Sequence, residues 1–427
     1  MSQHAADPAT TSPTIPAPRP DTPRPEVQKR VLTVLLISQI LSGVGLAAGV
    51  TVAALLAQDM LHSTTLAGLP SALLTAGSAF AAVAVARISQ NRGRRPGLVT
   101  GYMTGAVGGA GVIAAAAINS PTLLFAGLFL YGAGTAANLQ ARYAGADLAA
   151  PAHRARAVST VLVATTLGGV LGPNLTTPAG HLAHALGLPG LTGLFLISST
   201  AFALAALVLL LWLRPDPLLL ARTLPSEESA DSAADTPTGR RSPSLALGVL
   251  VMVLSQLVMV AVMTMTPVHM HAHGHGTAAS GLVIALHVGA MYLPSPLTGW
   301  LVDRYGRTTM AAASGLTLLA AGVLAALAPG DSVALLALAL ILLGTGWNFG
   351  LVSGTAMVTD AVPLASRAKT QGLVDVALAI AGATGGIASG IVVATANYPV
   401  LALAGGAISL AVLPAAIATA RTGSPRV

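Results

Sequence analysis

Thioether sulfur and imidazole nitrogen are concentrated in one stretch of the chain. Six of eleven methionines (Met252, Met259, Met263, Met265, Met270, Met291) and five of ten histidines (His269, His271, His273, His275, His287) fall between residues 252 and 291. Met259 and Met263 are four residues apart, and so are His287 and Met291, the spacing that stacks two side chains on one face of a helix. Thioethers with one imidazole make a soft, neutral ligand set that suits Cu(I) better than Mg, Ca or Mn, which prefer oxygen. Cysteine is absent, so thiolate sites and disulfides are excluded and any soft ligand must be Met or His. A plainer reading stands beside this one: Met fills irregular gaps between helices, and a buried His bonds a backbone carbonyl.

The elements that would position these residues are membrane spans. Of the 427 residues 54% are hydrophobic and only 8% charged, with a mean hydropathy of +0.76, whereas a soluble domain carries about a quarter charged residues. A soluble enzyme or a nucleic-acid-binding module is therefore excluded, despite a net charge of +7 and a pI near 10.4. Twelve apolar runs follow one another at about 31–57, 65–86, 97–118, 122–145, 157–180, 190–213, 244–268, 278–301, 309–328, 333–358, 371–395 and 398–420. Each is long enough, at about 1.5 Å per residue, to cross a ~30 Å hydrocarbon layer. On these bounds Met259 and His287 lie at about the same depth near the midplane, with Met263 above and Met291 below. There transporters hold their cargo.

The 21 Lys and Arg set the orientation. With a cytoplasmic N-terminus, all of them fall in tails, inner loops, the central linker or the inner ends of helices, as the positive-inside rule requires. The expected organisation is a cytoplasmic tail over 1–30, a six-helix half over 31–213, a cytoplasmic linker over 214–243 that cannot bury enough apolar surface to order itself, a second six-helix half over 244–420 and a tail over 421–427. Both termini are expected inside a multi-pass protein of the cell (plasma) membrane. The halves repeat: Gly93 falls on Gly306, Arg94 on Arg307, Asp147 on Asp360, Arg154 on Arg367 and Arg156 on Lys369, each 213 positions later.

Between the eighth and ninth runs, Gly299-Trp-Leu-Val-Asp303-Arg304-Tyr-Gly306-Arg307 resembles the G-x-x-x-D-R-x-G-R signature of the major facilitator superfamily. The first half keeps Gly93, Arg94 and Arg95 but has Ala86, Gln90 and Asn91 where Gly, Asp and Arg would stand, so its loop is expected to gate less tightly. The resemblance implies an all-α integral membrane protein of twelve transmembrane helices in two six-helix pseudo-repeats, a carrier working by alternating access, with these residues as an inner gate. It implies no enzyme. Neither lysine follows a glycine, so the chain has no phosphate loop for ATP and transport must run on a gradient. Asp375, inside the eleventh run, and Arg142 with Asp147, toward the inner end of the fourth, are the candidate proton carriers. For Asp375, coupling and a helix-packing hydrogen bond remain equal alternatives.

Met259-Val-Ala-Val-Met263 in the seventh run and His287-Val-Gly-Ala-Met291 in the eighth are similar to the paired MxxxM and HxxxM motifs of the CcoA-like copper importers, a branch of that superfamily that also includes carriers of organic substrates such as riboflavin. The resemblance implies copper as transported substrate rather than cofactor, held by Met259, Met263, His287 and Met291, with His269, Met270, His271, His273 and His275 on the outer loop collecting ions. A proton-coupled carrier or exporter of a drug, metabolite or vitamin is the alternative, and a non-transporting metal receptor ranks below both. The expected partners are the bilayer and one small solute, copper or organic, with the monomer as the working unit.

Overall fold

The computed structural model describes residues 24–61, 69–224 and 243–422; of the expected tails over 1–30 and 421–427, residues 1–23 and 423–427 lie outside them, as do linker residues 225–242, while 24–30 and 421–422 are helical rather than tail. The first half is built from α1 (Arg24–Thr51), α2 (Ala53–Leu61), α3 (Leu69–Arg92), α4 (Arg94–Ala117), α5 (Pro121–Ala146), α6 (Arg154–Asn174), α7 (Thr176–Ala185) and α8 (Gly193–Trp212). After a short α9 (Pro217–Thr223), the second half runs through α10 (Pro243–Ala272), α11 (Thr277–Tyr292), α12 (Ser295–Tyr305), α13 (Arg307–Leu327), α14 (Val333–Ala361), α15 (Arg367–Thr395), α16 (Tyr398–Ser409) and α17 (Val412–Thr422).

Among the described residues eleven helices or helix pairs are long and apolar enough to cross a membrane. Spans one, five, eight and twelve are each made of two consecutive helices: α1–α2, α6–α7, α11–α12 and α16–α17. The break in the eighth falls at Leu293-Pro294, where proline denies the helix an N–H and crowds the preceding turn. By contrast Pro267 sits inside α10 without ending it. That helix therefore runs to Ala272 and takes His269, Met270 and His271 with it, although the sequence placed these residues in a loop.

Each half has its own apolar core. One gathers Leu35, Leu98, Tyr102, Leu128, Tyr131, Phe195 and Phe202; the other gathers Val251, Met252, Leu318, Leu336, Leu340, Leu351 and Tyr398. Within lipid, helix association rests on close packing and interhelical hydrogen bonds rather than on hydrophobic burial. Accordingly α4 and α5 approach through Gly108 and Gly127, where an added Cβ at Gly127 would lie 2.8 Å from the Val112 amide and one at Gly108 would run into the Tyr131 backbone. Between halves the main contacts are α3 with α15 and α6 with α12. These two pairs exchange under the repeat, so the halves meet twice in the same way.

Replacing Gly108 by alanine forces the α4 and α5 backbones apart and is expected to destabilise the folded protein by about 1–3 kcal/mol, the usual cost of overpacking. Thermal unfolding in detergent, compared with Gly111→Ala, where the nearest heavy atom to an added Cβ lies at 3.5 Å, checks it.

Candidate functional site

Two polar layers join the halves, one at the Arg-rich end of the bundle and one deeper inside. At the Arg-rich end, Gly93 (φ 100°) and Gly306 (φ 93°) turn α3 into α4 and α12 into α13, a backbone conformation that L side chains avoid. Beyond these turns the repeat becomes a set of matched contacts. Asp303 accepts from the amides of Ala155 (3.2 Å) and Arg156 (3.1 Å), capping the start of α6 where unpaired N–H groups favour a negative partner. Its repeat mate Gln90 accepts, through Oε1, from the amides of Ala368 (2.9 Å) and Lys369 (3.2 Å) at the start of α15. Gln90 Nε2 also donates to the carbonyls of Leu364 (3.3 Å) and Ala365 (2.7 Å). A carboxylate has no N–H for those last two bonds.

The expectation of a looser first-half gate therefore does not match the geometry: the amide that replaces aspartate makes four contacts. The glycine missing at Ala86 is supplied from the opposite helix. Gly299 lies against Ser159 and Ala155 of α6, while Ala86 lies against Gly372 of α15. Ser159 and Gly372 are themselves 213 positions apart. One close crossing thus carries its glycine on α12 and the other on α15.

Ion pairs back both crossings. Arg94 is buried and holds Asp147 through Nε (2.7 Å) while Nη2 donates to Gln371 (2.5 Å). In the second half Asp360 is shared by Arg307 (2.5 Å) and Arg154, and Arg156 stands 3.7 Å from Asp303. Asp147 consequently belongs to this end layer and pairs with Arg94, not with Arg142 as the candidate proton pair would have it. Arg304 is exposed, and Arg95 takes part through its backbone N–H, which donates to Asp216 (2.7 Å).

The inner layer is centred on Arg142 of α5. It is fully buried and donates through Nη2 to Asp375 Oδ1 on α15 (2.7 Å) and to the Tyr143 hydroxyl (2.9 Å), and through Nε to Thr355 on α14 (3.2 Å). The Tyr143 hydroxyl donates to the same carboxylate oxygen (3.2 Å). Asp375 Oδ2 is buried and has no hydrogen-bond partner among the described residues. Arg142 and Asp375 come from opposite halves, so this is a buried cation and carboxylate clamped across the interface on which a carrier must rock. Tyr143, Thr355, Gln371 and Gln90 were missed as site residues. Gln371 had a readable signal, lying four positions before Asp375 and so on the same helix face.

The sulfur and imidazole residues lie elsewhere in the second half. Met259 and Met291 are buried in its core, with Met263 packed against it. His287 is fully buried, its Nδ1 2.8 Å from the Leu340 carbonyl of α14. Since a carbonyl only accepts, Nδ1 carries a proton, and in the neutral imidazole Nε2 keeps its lone pair. That nitrogen has no partner among the described residues. Of the proposed collecting residues, Met270 is buried in the core of the second half. His269 stacks on Tyr398 at 4.4 Å and lies 4.3 Å from the His273 ring, His275 Nε2 bonds the Gly330 carbonyl (2.8 Å), and His271 is exposed. Among the described residues no three His, Asp or Glu side chains group to hold a metal ion.

Two repeated helical halves, locked together at one end and sharing a charge pair within, define a membrane carrier of the rocking kind. The chain belongs to the Major Facilitator Superfamily, whose family model matches residues 35–352 and again 278–426. It is 52% identical over 397 residues to the MFS-type transporter YddS of Bacillus subtilis (strain 168), covering 92% of this chain and 91% of that one. It is 32% identical over 357 residues to the riboflavin transporter RfnT of Brucella anthropi, covering 81% of this chain and 85% of that one. The crystal structure of the human organic anion transporter MFSD10 superposes with a TM-score of 0.75 over 91% of this chain and 99% of that one, at 19% identity, which establishes the shared fold. The chain is thus a secondary transporter of a small solute and not an enzyme.

Removing one partner of a buried ion pair strands the other charge, at about 3–5 kcal/mol, whereas a half-exposed pair contributes about 0–1 kcal/mol. Asp147→Asn is therefore expected to lower thermal stability in detergent far more than Arg156→Ala, whose guanidinium is 45% exposed. Equal losses would contradict the reading of the end layer.

Proposed function

We propose that the chain is a proton-coupled carrier of a small organic solute in the cell membrane, with the Arg-rich end and both termini on the cytoplasmic side. The observation that carries this reading is the Arg142–Asp375 pair, buried between the halves with one carboxylate oxygen unpartnered. An ionised group at such depth is costly and marks an ion or proton path. Protonating Asp375 at Oδ2 neutralises its charge and frees Arg142 from its counter-ion; losing the proton restores the pair. Proton binding and the grip between halves are then one equilibrium, which is what coupling requires. The solute class is supported by the relative named as a riboflavin transporter, and the orientation by the positive-inside rule.

Copper is the second reading, favoured by the lone pair left on buried His287 Nε2 within a core that also holds Met259 and Met291. Imidazole with thioether is a ligand set for Cu(I). Its weak point is the collecting set, of which His269, Met270 and His271 lie in α10 rather than in a loop and Met270 is buried in the core.

Purified protein in liposomes discriminates the two. Riboflavin is the first solute to assay and copper the second, each with and without an imposed pH gradient. The expected result is flux of an organic solute driven by the gradient, lowered at least about tenfold by Asp375→Asn while solute exchange at equal pH persists, and unaffected by Met263→Leu or His287→Leu. Copper flux lost in Met263→Leu or His287→Leu and indifferent to Asp375→Asn would reverse the assignment.

A further inference from the structure

The segment that leaves the sixth span is not a passive tether. Although residues 214–243 read as a linker too polar to order itself, its first part folds onto the Arg-rich end as α9. Asp216 closes two helices with one carboxylate: Oδ2 accepts from the Arg95 amide at the start of α4 (2.7 Å), and Oδ1 accepts from the amides of Leu218 (3.1 Å) and Leu219 (3.2 Å) at the start of α9. Gly93 makes the room, since an added Cβ there would collide with that carboxylate, while one at its repeat mate Gly306 would meet nothing within 4 Å among the described residues. Among the described residues the clamp therefore has no counterpart at the equivalent glycine of the second half. Leu218 is fully buried, and α9 lies on α4 and α5, so the segment is seated on the first half.

Its other end reaches across. Arg222 Nη2 donates to the Gln90 carbonyl in the first half (2.9 Å) and to the Leu364 carbonyl in the second (3.5 Å). Gln90 Nε2 donates to that same Leu364 carbonyl. A cation on the linker thus braces the residue whose side chain holds α3 to the start of α15, and touches the second half at the same carbonyl.

We propose that residues 213–224 are a regulatory strap: docked, with Arg222 over Gln90 and Leu364, they hold the carrier closed at its Arg-rich end, and undocked they let that end open. A carrier's states differ by only a few kcal/mol, so one hydrogen bond from a charged group has the right size to tip them. This inference goes beyond the substrate reading and requires no knowledge of the solute.

The cysteine-free chain allows a direct test on full-length protein in detergent, using the alkylation rate of single cysteines. Ser159→Cys sits at the α6–α12 crossing and reports opening of the Arg-rich end. Ser314→Cys is buried between α13 and α14, where Ser314 bonds the Gly346 carbonyl, and reports general loosening of the second half. Adding Arg222→Gln is expected to raise the Ser159→Cys rate about tenfold, the shift that corresponds to losing one charge-assisted hydrogen bond, with Ser314→Cys unchanged. Asp216→Asn should act in the same direction. An unchanged rate at Ser159→Cys in both variants overturns the proposal, and so does an equal rise at Ser314→Cys. Because no solute is present, a failure here is separate from any failure of the transport assay.

Discussion

The architecture depends on keeping buried charge paired across an interface that has to move. Arg94 and Arg142 are both interior, and each is satisfied from both halves or by a combination of its own half and the other: Arg94 by Asp147 and Gln371, Arg142 by Tyr143, Thr355 and Asp375. In a low-dielectric interior neither guanidinium can lose its partners without a replacement. Opening the Arg-rich end would take Gln371 from Arg94, and separating the halves at the centre would take Asp375 from Arg142. Water entering one layer, and a proton or solute entering the other, are the natural replacements. The polar layers therefore specify both the closed state and what must arrive before it can be left.

The two layers divide the work differently. At the Arg-rich end the contacts are doubled by the repeat, so that Asp303 of α12 caps α6 and Gln90 of α3 caps α15, equivalent helices. The chemistry of the two caps is unequal: one is a carboxylate beside Arg156, the other a neutral amide that bonds on both sides and is braced by the linker. The inner layer is not doubled, because the position 213 residues after Arg142 is Thr355, which accepts from Arg142 itself. A duplicated scaffold thus carries one charge pair, and that asymmetry gives a symmetric frame a single coupling centre.

Much of the frame was legible in the sequence. Apolar run length marked the spans, and the 213-residue offset brought the gate residues into register before any contact was known. Pairing was not legible. Asp147 lies nearer to Arg142 in sequence than Asp375 does, yet the turn of α5 sends Arg142 to α15 and leaves Asp147 for Arg94; only the crossing of helices 233 residues apart decides it. Likewise Ala86 looked like a lost glycine because its compensation, Gly372, sits on another helix. The soft-ligand reading rested on composition and spacing, which do not say how side chains pack: Met252, Met259, Met270 and Met291 all lie in the core of the second half, and α10 carries Met270 into it where a loop was expected. Nor did the sequence show that Tyr143 would face the Arg142 guanidinium, at 4.3 Å.

The central claim is that Asp375 takes up and releases a proton within the interface. Infrared difference spectroscopy of the purified protein on acidification tests it most directly, because a protonated carboxyl has a carbonyl band that a carboxylate lacks. The account predicts such a band in the unmodified protein, missing in Asp375→Asn and retained in Asp303→Asn. A spectrum that Asp375→Asn leaves unchanged would contradict it.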